Sequence, residues 1–327
     1  MSQDAGVHAE GAGTPPEPTA APDVSVVMAC RNGLPFLGEA LDSLARQTLS
    51  AWELILVDGG STDGSVELAR SYGPRVRVLP APDVPPPGEA RNRAAAEARA
   101  PLLAFLDADD RWRADKLERQ VALLRASGAA LVFSDCRVVD GRGRVLGRYL
   151  SRHRPARGAV AGRLGAENFV PLSTVLVSRG AFEAAGGFPE GYWAAADYLF
   201  ALRVARLGPF EYDEETLADY RTHPGSITQD FRRAYQENVR VYQALLEEAA
   251  DDVERARARM ALGVLYWRWA LREVAEGRLG RAWELAGEAT RATRLPGAAG
   301  TLVRATASWL RGLPLRLRMA RARRGAP

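Results

Sequence analysis

The sequence predicts an α/β fold on a mostly parallel central sheet, followed by an all-helical C-terminal region. Two observations lead there. Between Val24 and about residue 110, strand-length apolar runs alternate with segments whose apolar residues recur at helical spacing. Beyond Phe231 the strand signal stops, while helical periodicity continues to Arg294. Strands that are apolar on both faces and separated by helices specify parallel pairing, and such sheets receive ligands at their carboxyl ends.

In chain order, Val24–Cys30 (VSVVMAC) is the first strand, rich in β-branched residues, and residues 54–57 (LILV) are the second. Residues 75–79 (RVRVL) alternate, and residues 102–106 (LLAFL) form the fourth. The intervening helices cover 36–47, 63–72 and 89–99. Residues 115–125 then predict a helix, 129–134 a strand, and 138–146 a hairpin turning at 140–143. Residues 150–165 are rich in Arg and Gly with little periodicity, which predicts a mobile loop. A strand over 172–177 and a helix over 195–206 follow. Residues 267–289 pair small and aromatic residues around 277–280, the pattern of a helical hairpin of tetratricopeptide type; with one copy visible, no repeat array is inferred. The chain thus divides into a disordered lead-in (1–22), an α/β domain (23–228), a helical region (229–297) and a basic amphipathic tail (298–327).

Composition narrows the function classes. Hydrophobic residues at 47% and charged residues at 26% of 327 describe an ordinary globular chain, so wholesale disorder is excluded. No window approaches the ~18–20 apolar residues that span a bilayer, so no integral membrane segment is expected. Cys30 and Cys136 form no CxxC pair, and with three histidines they build no zinc site of recognised spacing. A disulfide scaffold is excluded, and a reducing, cytoplasmic compartment is expected. The first 23 residues are rich in Ala, Gly, Pro and Glu and lack the basic-then-apolar order of a secretory signal. The net charge of +4 is uneven: residues 299–327 hold seven arginines and no acid, which leaves −3 for everything before them. With an acidic body and no reading motif, nucleic acid is not an expected partner.

Three acidic clusters fall at predicted strand ends or a helix start. Asp58-Gly59-Gly60-Ser61-Thr62-Asp63 closes the second strand, where glycines let the chain turn and approach a ligand. A plain strand–turn–helix junction with a cap accounts for that cluster on its own. Asp107-Ala108-Asp109-Asp110 closes the fourth strand. An N-cap accounts for one of its aspartates, but three mutually repelling carboxylates call for a cation. Oxygen-only donors suit Mg²⁺ or Mn²⁺ shared with a diphosphate. Trp193-Ala194-Ala195-Ala196-Asp197 enters a helix, and alone it reads as a helix-start carboxylate. Neither a dinucleotide fingerprint nor a P-loop is present.

Together these segments resemble glycosyltransferase family 2, nucleotide-sugar-dependent enzymes of the GT-A fold (Rossmann-like, with a mostly parallel central sheet). VSVVMACRNG resembles that family's opening strand, WELILVDGGSTDGS its second, GEARNRAAAEARAPLLAFLDADDRW the segment ending in its D-x-D, STVLVSRGAFEAAGGFPEG with AADYLFALR its acceptor half, and LADYRTHPGSIT its Arg-x-His element. Five elements in family order, from Val24 to about Thr228, carry the resemblance. It implies a metal-assisted, inverting transfer of a sugar from a nucleoside-diphosphate donor to a hydroxyl on a glycan, a lipid-linked carrier or a small product. It implies Asp109, Asp107 and His223 as metal ligands, with Asp110 adding ligation or a ribose contact. Ala29, Arg31, Asn32, Asp58, Arg91, Asp107, Ala108 and Arg221 would bind the nucleotide-sugar, Arg221 as a clamp on the diphosphate. Asp197 would be the general base that takes the acceptor's proton, with Asp213 or Glu190 as poorer substitutes, and Trp193 would stack on an acceptor ring or pack in the core.

The sequence departs from the family pattern in three places: Gly59 follows Asp58 where a second acid is frequent, Cys30-Arg31-Asn32 stands for Thr-Tyr-Asn, and Ala196 precedes the base. The nucleobase therefore stays open. Arg91 reaches either a phosphate or a surface acid such as Glu89 or Glu97, and Cys30 is expected to be a buried apolar residue rather than a nucleophile. In the tail, Trp309, Leu310, Leu313 and Leu317 alternate with arginines, which suits peripheral contact with an anionic membrane's inner face or docking on a protein, although Pro314 interrupts any long helix. Two rival functions remain at this level: a non-catalytic nucleotide-sugar or glycan binder, and a sugar nucleotidyltransferase, which usually carries a Gly-rich loop after its first strand. The oligomeric state is open.

Overall fold

The structure is a computed structural model that describes residues 21–227 and 230–293. The lead-in up to residue 20 and the basic tail from residue 298 lie outside the described residues. The α/β part runs β1 (Val24–Cys30), α1 (Leu34–Ala45), β2 (Trp52–Asp58), α2 (Ser65–Ser71), β3 (Val76–Pro80), α3 (Pro87–Ala96), β4 (Leu102–Phe105), β5 (Arg111–Trp112) and α4 (Lys116–Ser127). It continues through β6 (Leu131–Asp140), β7 (Val145–Arg148), α5 (Ala161–Leu164), β8 (Leu176–Ser178), α6 (Arg179–Ala184), α7 (Ala196–Leu207) and β9 (Phe210–Thr222). Three helices close the described chain: α8 (Phe231–Glu247), α9 (Asp252–Ala275) and α10 (Leu279–Thr293).

The strands form one sheet in the order β3-β2-β1-β4-β8-β6-β9-β5, with β7 hydrogen-bonded to the outer half through β6. β3, β2, β1 and β4 are parallel, β8 runs against both β4 and β6, and β9 is parallel to β6, so most strands point one way. Burial on both faces explains why β1, β2 and β4 read as largely apolar runs, while β3, at the sheet edge, alternates. Val24, Val26, Met28 and Cys30 share a core with Leu37, Leu41 and Leu44 of α1 and with Leu117 and Val121 of α4. Val27, Ile55, Val57 and Phe105 face the other way, into a core with Ala90 and Ala94 of α3 and Phe200 of α7. Gly88 permits the close approach on that second face: a Cβ there would stand 2.9 Å from Ala196 Cβ and 3.1 Å from Phe188 Cβ. The start of α3 is thereby pressed against the start of α7.

The second half of the sheet differs from the sequence expectation. β9 spans 13 residues (FEYDEETLADYRT) whose acids hide any strand pattern. Arginines from neighbouring elements meet those acids: Arg119 binds Asp213, Arg113 binds Glu215, and Arg111 and Arg137 both bind Asp219. β6 does not end near Ser134; it continues to Asp140 across an irregularity at Ser134–Cys136, where buried Asp135 accepts hydrogen bonds from the Cys136 and Leu150 amides and from Arg148. The expected strand over 172–177 is a tight helical turn followed by β8. Residues 150–165 are pinned rather than loose, because Val160 and Leu164 are fully buried and Gly158 exchanges two backbone hydrogen bonds with Phe210.

The C-terminal helices pack onto the sheet's second core. Val241, Tyr242 and Leu245 of α8 belong to the same apolar cluster as Leu199 and Phe200, and the Tyr242 and Tyr198 hydroxyls lie 3.0 Å apart. α9 and α10 are in close contact at Gly263, where a Cβ would fall 2.3 Å from Thr293 Cγ2. Their junction is tied by Glu273, whose buried carboxylate accepts from Trp269 Nε1 (3.1 Å), Arg232 Nε (3.3 Å) and Arg278. No described helix is long and apolar enough to cross a membrane.

Burial alone would raise the Glu273 carboxyl, but the bonds from Arg278, Arg232 and Trp269 hold it down at about 2. Its stabilising contribution is therefore complete above the ordinary value of 4.5 and is lost as pH falls toward about 2. Glu273→Ala is expected to destabilise the chain by about 1–3 kcal/mol at pH 7, since it leaves the buried Trp269 indole N–H without its acceptor and frees two arginines that water can reach. In urea denaturation the gap between variant and wild type should close below pH 4.5; a gap that ignores pH would refute this account.

Candidate active site

The carboxyl ends of β1, β2 and β4 open onto a cavity of about 730 Å³. The first two loops are stitched together by short polar side chains. Asn32 takes a left-handed conformation (φ 50°); its amide donates to Ser61 Oγ (2.8 Å) and its Oδ1 accepts from the Thr62 amide (2.9 Å). The Gly33 amide donates to Ser65 Oγ and the Leu34 amide to Asp63 Oδ2. Ala29, Arg31, Asn32 and Gly59 line the cavity. Asp58 does not: its carboxylate turns onto its own loop and accepts from the Gly60 (3.1 Å) and Ser61 (3.0 Å) amides. Cys30 is buried, and burial with the nearby charge of Asp58 pushes its thiol up to about 12, which rules out a thiolate nucleophile at neutral pH.

Behind β4, Asp107, Asp109 and Asp110 offer oxygens within 4.8 Å of one another. They are not equivalent. Asp107 and Asp109 line the cavity and are partly exposed, whereas Asp110 is 1% exposed. Asp110 accepts from the Ser173 hydroxyl and the Arg221 amide (2.8 Å). Burial, with the charges of Asp109 and Asp107 adding to it, pushes its carboxyl well above the usual carboxylate range. The side chains presented to the cavity are those of Asp107 and Asp109, and Asp110 holds the turn from beneath.

Each exposed carboxylate has a cationic or ring neighbour. Arg91 of α3 ion-pairs with Asp107, and its buried Nε has no hydrogen-bond partner among the described residues. His223 Nε2 lies 3.0 Å from Asp109 Oδ2, while its Nδ1 accepts from the Gly225 amide (3.1 Å). That acceptance places the neutral ring's proton on Nε2, facing Asp109. Direct ligation of a cation through Nε2 would require the Gly225 amide to turn away. Arg91, Ala108, Trp193 and His223 all line the cavity.

Arg221 sits at the end of β9, beside Val139 of β6, and is 1% exposed. Its Nε donates to the Asp109 carbonyl (2.8 Å), its Nη2 to Glu39 (2.8 Å), and its guanidinium lies over the Phe36 ring at 4.6 Å. The guanidinium is therefore used up inside the protein and is not offered to the cavity. Arg111 joins the same Glu39 carboxylate (2.9 Å), so α1, β5 and β9 meet under the acidic turn. Ser173, Glu39 and Phe36 carry no motif, and sequence reasoning missed all three.

Asp197 stands on the first turn of α7, partly buried and outside the cavity's lining residues, while Trp193 four residues earlier reaches the cavity and is 38% exposed. Burial raises the Asp197 carboxyl to about 6, with the Arg91 charge opposing the rise and the Asp107 charge adding to it. That value suits a group that is ionised at neutral pH and still accepts a proton. Of the substitutes, Asp213 is locked to Arg119 by two 3.0 Å bonds and Glu190 is exposed away from the lining.

The chain is similar to several known proteins. The family model described as glycosyl transferase family 2 matches residues 25–183. A glycosyltransferase assigned to teichuronic acid biosynthesis, TuaG of Bacillus subtilis, is 27% identical over 229 residues, covering 68% of this chain and 88% of that one. Among solved structures, residues 1–349 of S. aureus TarS with UDP-GlcNAc superpose with a TM-score of 0.65 at 18% identity, covering 93% of this chain and 92% of that one. The mannosyltransferase PcManGT of Pyrobaculum calidifontis, with GDP-Man and Mn²⁺, gives 0.61 at 20% identity, covering 94% and 86%. The sheet, the acidic turn and these likenesses converge: the chain belongs to glycosyltransferase family 2, has the GT-A fold, and is a glycosyltransferase that takes its sugar from a nucleotide-sugar.

Proposed function

We propose that the enzyme is metal-assisted and inverting, and that it moves the sugar of a nucleoside-diphosphate donor onto a hydroxyl of a glycan, a lipid-linked carrier or a small product. The observation that carries this reading is the pair of cavity-facing carboxylates, Asp107 and Asp109, at the carboxyl end of β4. Their oxygen-only donor set suits Mn²⁺ or Mg²⁺. When bound, such an ion neutralises the charge that develops on the departing diphosphate. Arg91 and His223 orient the two carboxylates, and His223 acts on Asp109 directly without needing to leave the Gly225 amide. Arg31, Asn32 and Gly59 offer walls for the nucleotide, and the small side chains of Ala29 and Ala108 leave it room. Arg221 reaches the donor only through Asp109, whose carbonyl it holds.

On the acceptor side, Asp197 removes the hydroxyl proton as that oxygen attacks the anomeric carbon opposite the leaving diphosphate. One displacement needs no carboxylate nucleophile, and it inverts the anomeric centre. Trp193 offers a ring face to the acceptor sugar.

A screen of UDP- and GDP-sugars with Mn²⁺, reading free nucleoside diphosphate with and without EDTA, tests the whole assignment; no EDTA-sensitive release from any donor would overturn it. Asp109→Asn is expected to abolish the metal dependence. Asp197→Asn should cut turnover by about 10²- to 10⁴-fold while donor affinity holds. The wild-type rate should fall on the acid side of about pH 6, where Asp197 becomes protonated; a flat profile there, or an active Asp197→Asn enzyme, removes Asp197 from the base role.

A further inference from the structure

We infer that Glu237 of α8 is a positioning residue for the transfer reaction, clamping the backbone just before α7 and so fixing both Asp197 and Trp193. This rests on the acceptor-side roles proposed for those two residues. Glu237 is 5% exposed, and its carboxylate accepts three consecutive amides: Trp193 to Oε1 (3.0 Å), Ala194 to Oε2 (2.6 Å) and Ala195 to Oε2 (3.1 Å). These N–H groups lead into α7, whose N-cap is Ala195, a residue with no side chain able to cap. A carboxylate from a helix more than 40 residues downstream does that work, and it meets the positive end of the α7 dipole as well.

The need for an outside clamp is visible in the sequence of the segment. Ala194, Ala195 and Ala196 carry nothing beyond a methyl group, so the turn before Asp197 cannot fix itself through side chains. Two neighbours on α8 complete the grip. Arg240 donates Nη1 to the Gly191 carbonyl (2.8 Å) and lies over the Tyr192 ring at 4.1 Å. Arg233 lies over the Trp193 ring at 5.8 Å. Positions 233, 237 and 240 share one face of the helix by the i, i+4, i+7 rule. From the opposite side Glu89 of α3 accepts the Gly191 amide (2.8 Å), so the segment is held between α3 and α8. The C-terminal helices thereby set where the proposed base and the acceptor platform stand.

Glu237→Gln keeps the volume but leaves one acceptor oxygen and turns an NH2 toward donors, so it loosens the clamp with little change in packing. With Mn²⁺ and the UDP- or GDP-sugar that the wild type turns over, nucleoside diphosphate release should fall about 10- to 100-fold, since small misplacements of a catalytic group cost that much. Affinity for the free nucleoside diphosphate should stay within about twofold of wild type, as the donor wall is untouched. Hydrogen exchange at amides 193–195 should quicken while β1 and β4 stay protected. In an Asp197→Asn background the loss from Glu237→Gln should shrink well below its size in the wild type, leaving only what a displaced Trp193 costs, because the two changes share the Asp197 route.

A near-normal Glu237→Gln rate, a parallel fall in nucleoside diphosphate affinity, or an undiminished Glu237→Gln loss in the double variant would each overturn the inference. Unchanged turnover in Asp197→Asn alone would instead overturn the base assignment, and exchange at 193–195 would still report on the clamp itself.

Discussion

Three carboxylates behind one fully buried strand repel one another and lose hydration, and the rest of the site is arranged around that electrostatic cost. The three are relieved in different ways. Asp107 takes the Arg91 guanidinium, Asp109 faces the His223 ring, and Asp110 is withdrawn from solvent and bound by Ser173 and the Arg221 amide. Arg221 then anchors the turn to Glu39, which Arg111 also grips. The strand that supplies Arg221 and leads to His223 joins the sheet only through β6 and β5. The outer half of the sheet therefore contributes counter-charge to a turn that belongs to the inner half.

This division shows why the first half of the fold was legible in the sequence and the second was not. β1, β2 and β4 are buried on both faces, so the physical demand on most positions is simply to be apolar, and an apolar run reports it, the buried Ser25–Glu53 pair aside. β9 meets its neighbours through ion pairs with Arg111, Arg113, Arg119 and Arg137, so its acids read as a solvated segment. In β6 the buried Ser134 and Asp135 break the apolar run although the strand continues.

The site divides the same way. The rule that ligands meet a parallel sheet at its carboxyl ends located the loops after β1, β2 and β4, and those loops do line the cavity. Strand position does not say which way a side chain turns. Asp58 folds back onto the Gly60 and Ser61 amides, and Arg221 points into the protein, because each finds fixed partners nearer than the cavity. Glu237 lies in no motif; its importance comes from three amides far away in sequence, which only the packing of α8 reveals.

The tight seam at Gly88 has a further consequence. With methyl-sized clearance absent between that glycine and Ala196, the helix carrying Arg91 and the helix carrying Asp197 touch at their starts and share one wall. A bulkier residue at the seam would act as a wedge, shifting the ground under the leaving group and under the incoming hydroxyl together. Gly88 therefore ties the geometry of the two sides of the crevice to each other, so that neither start can be enlarged without moving its neighbour.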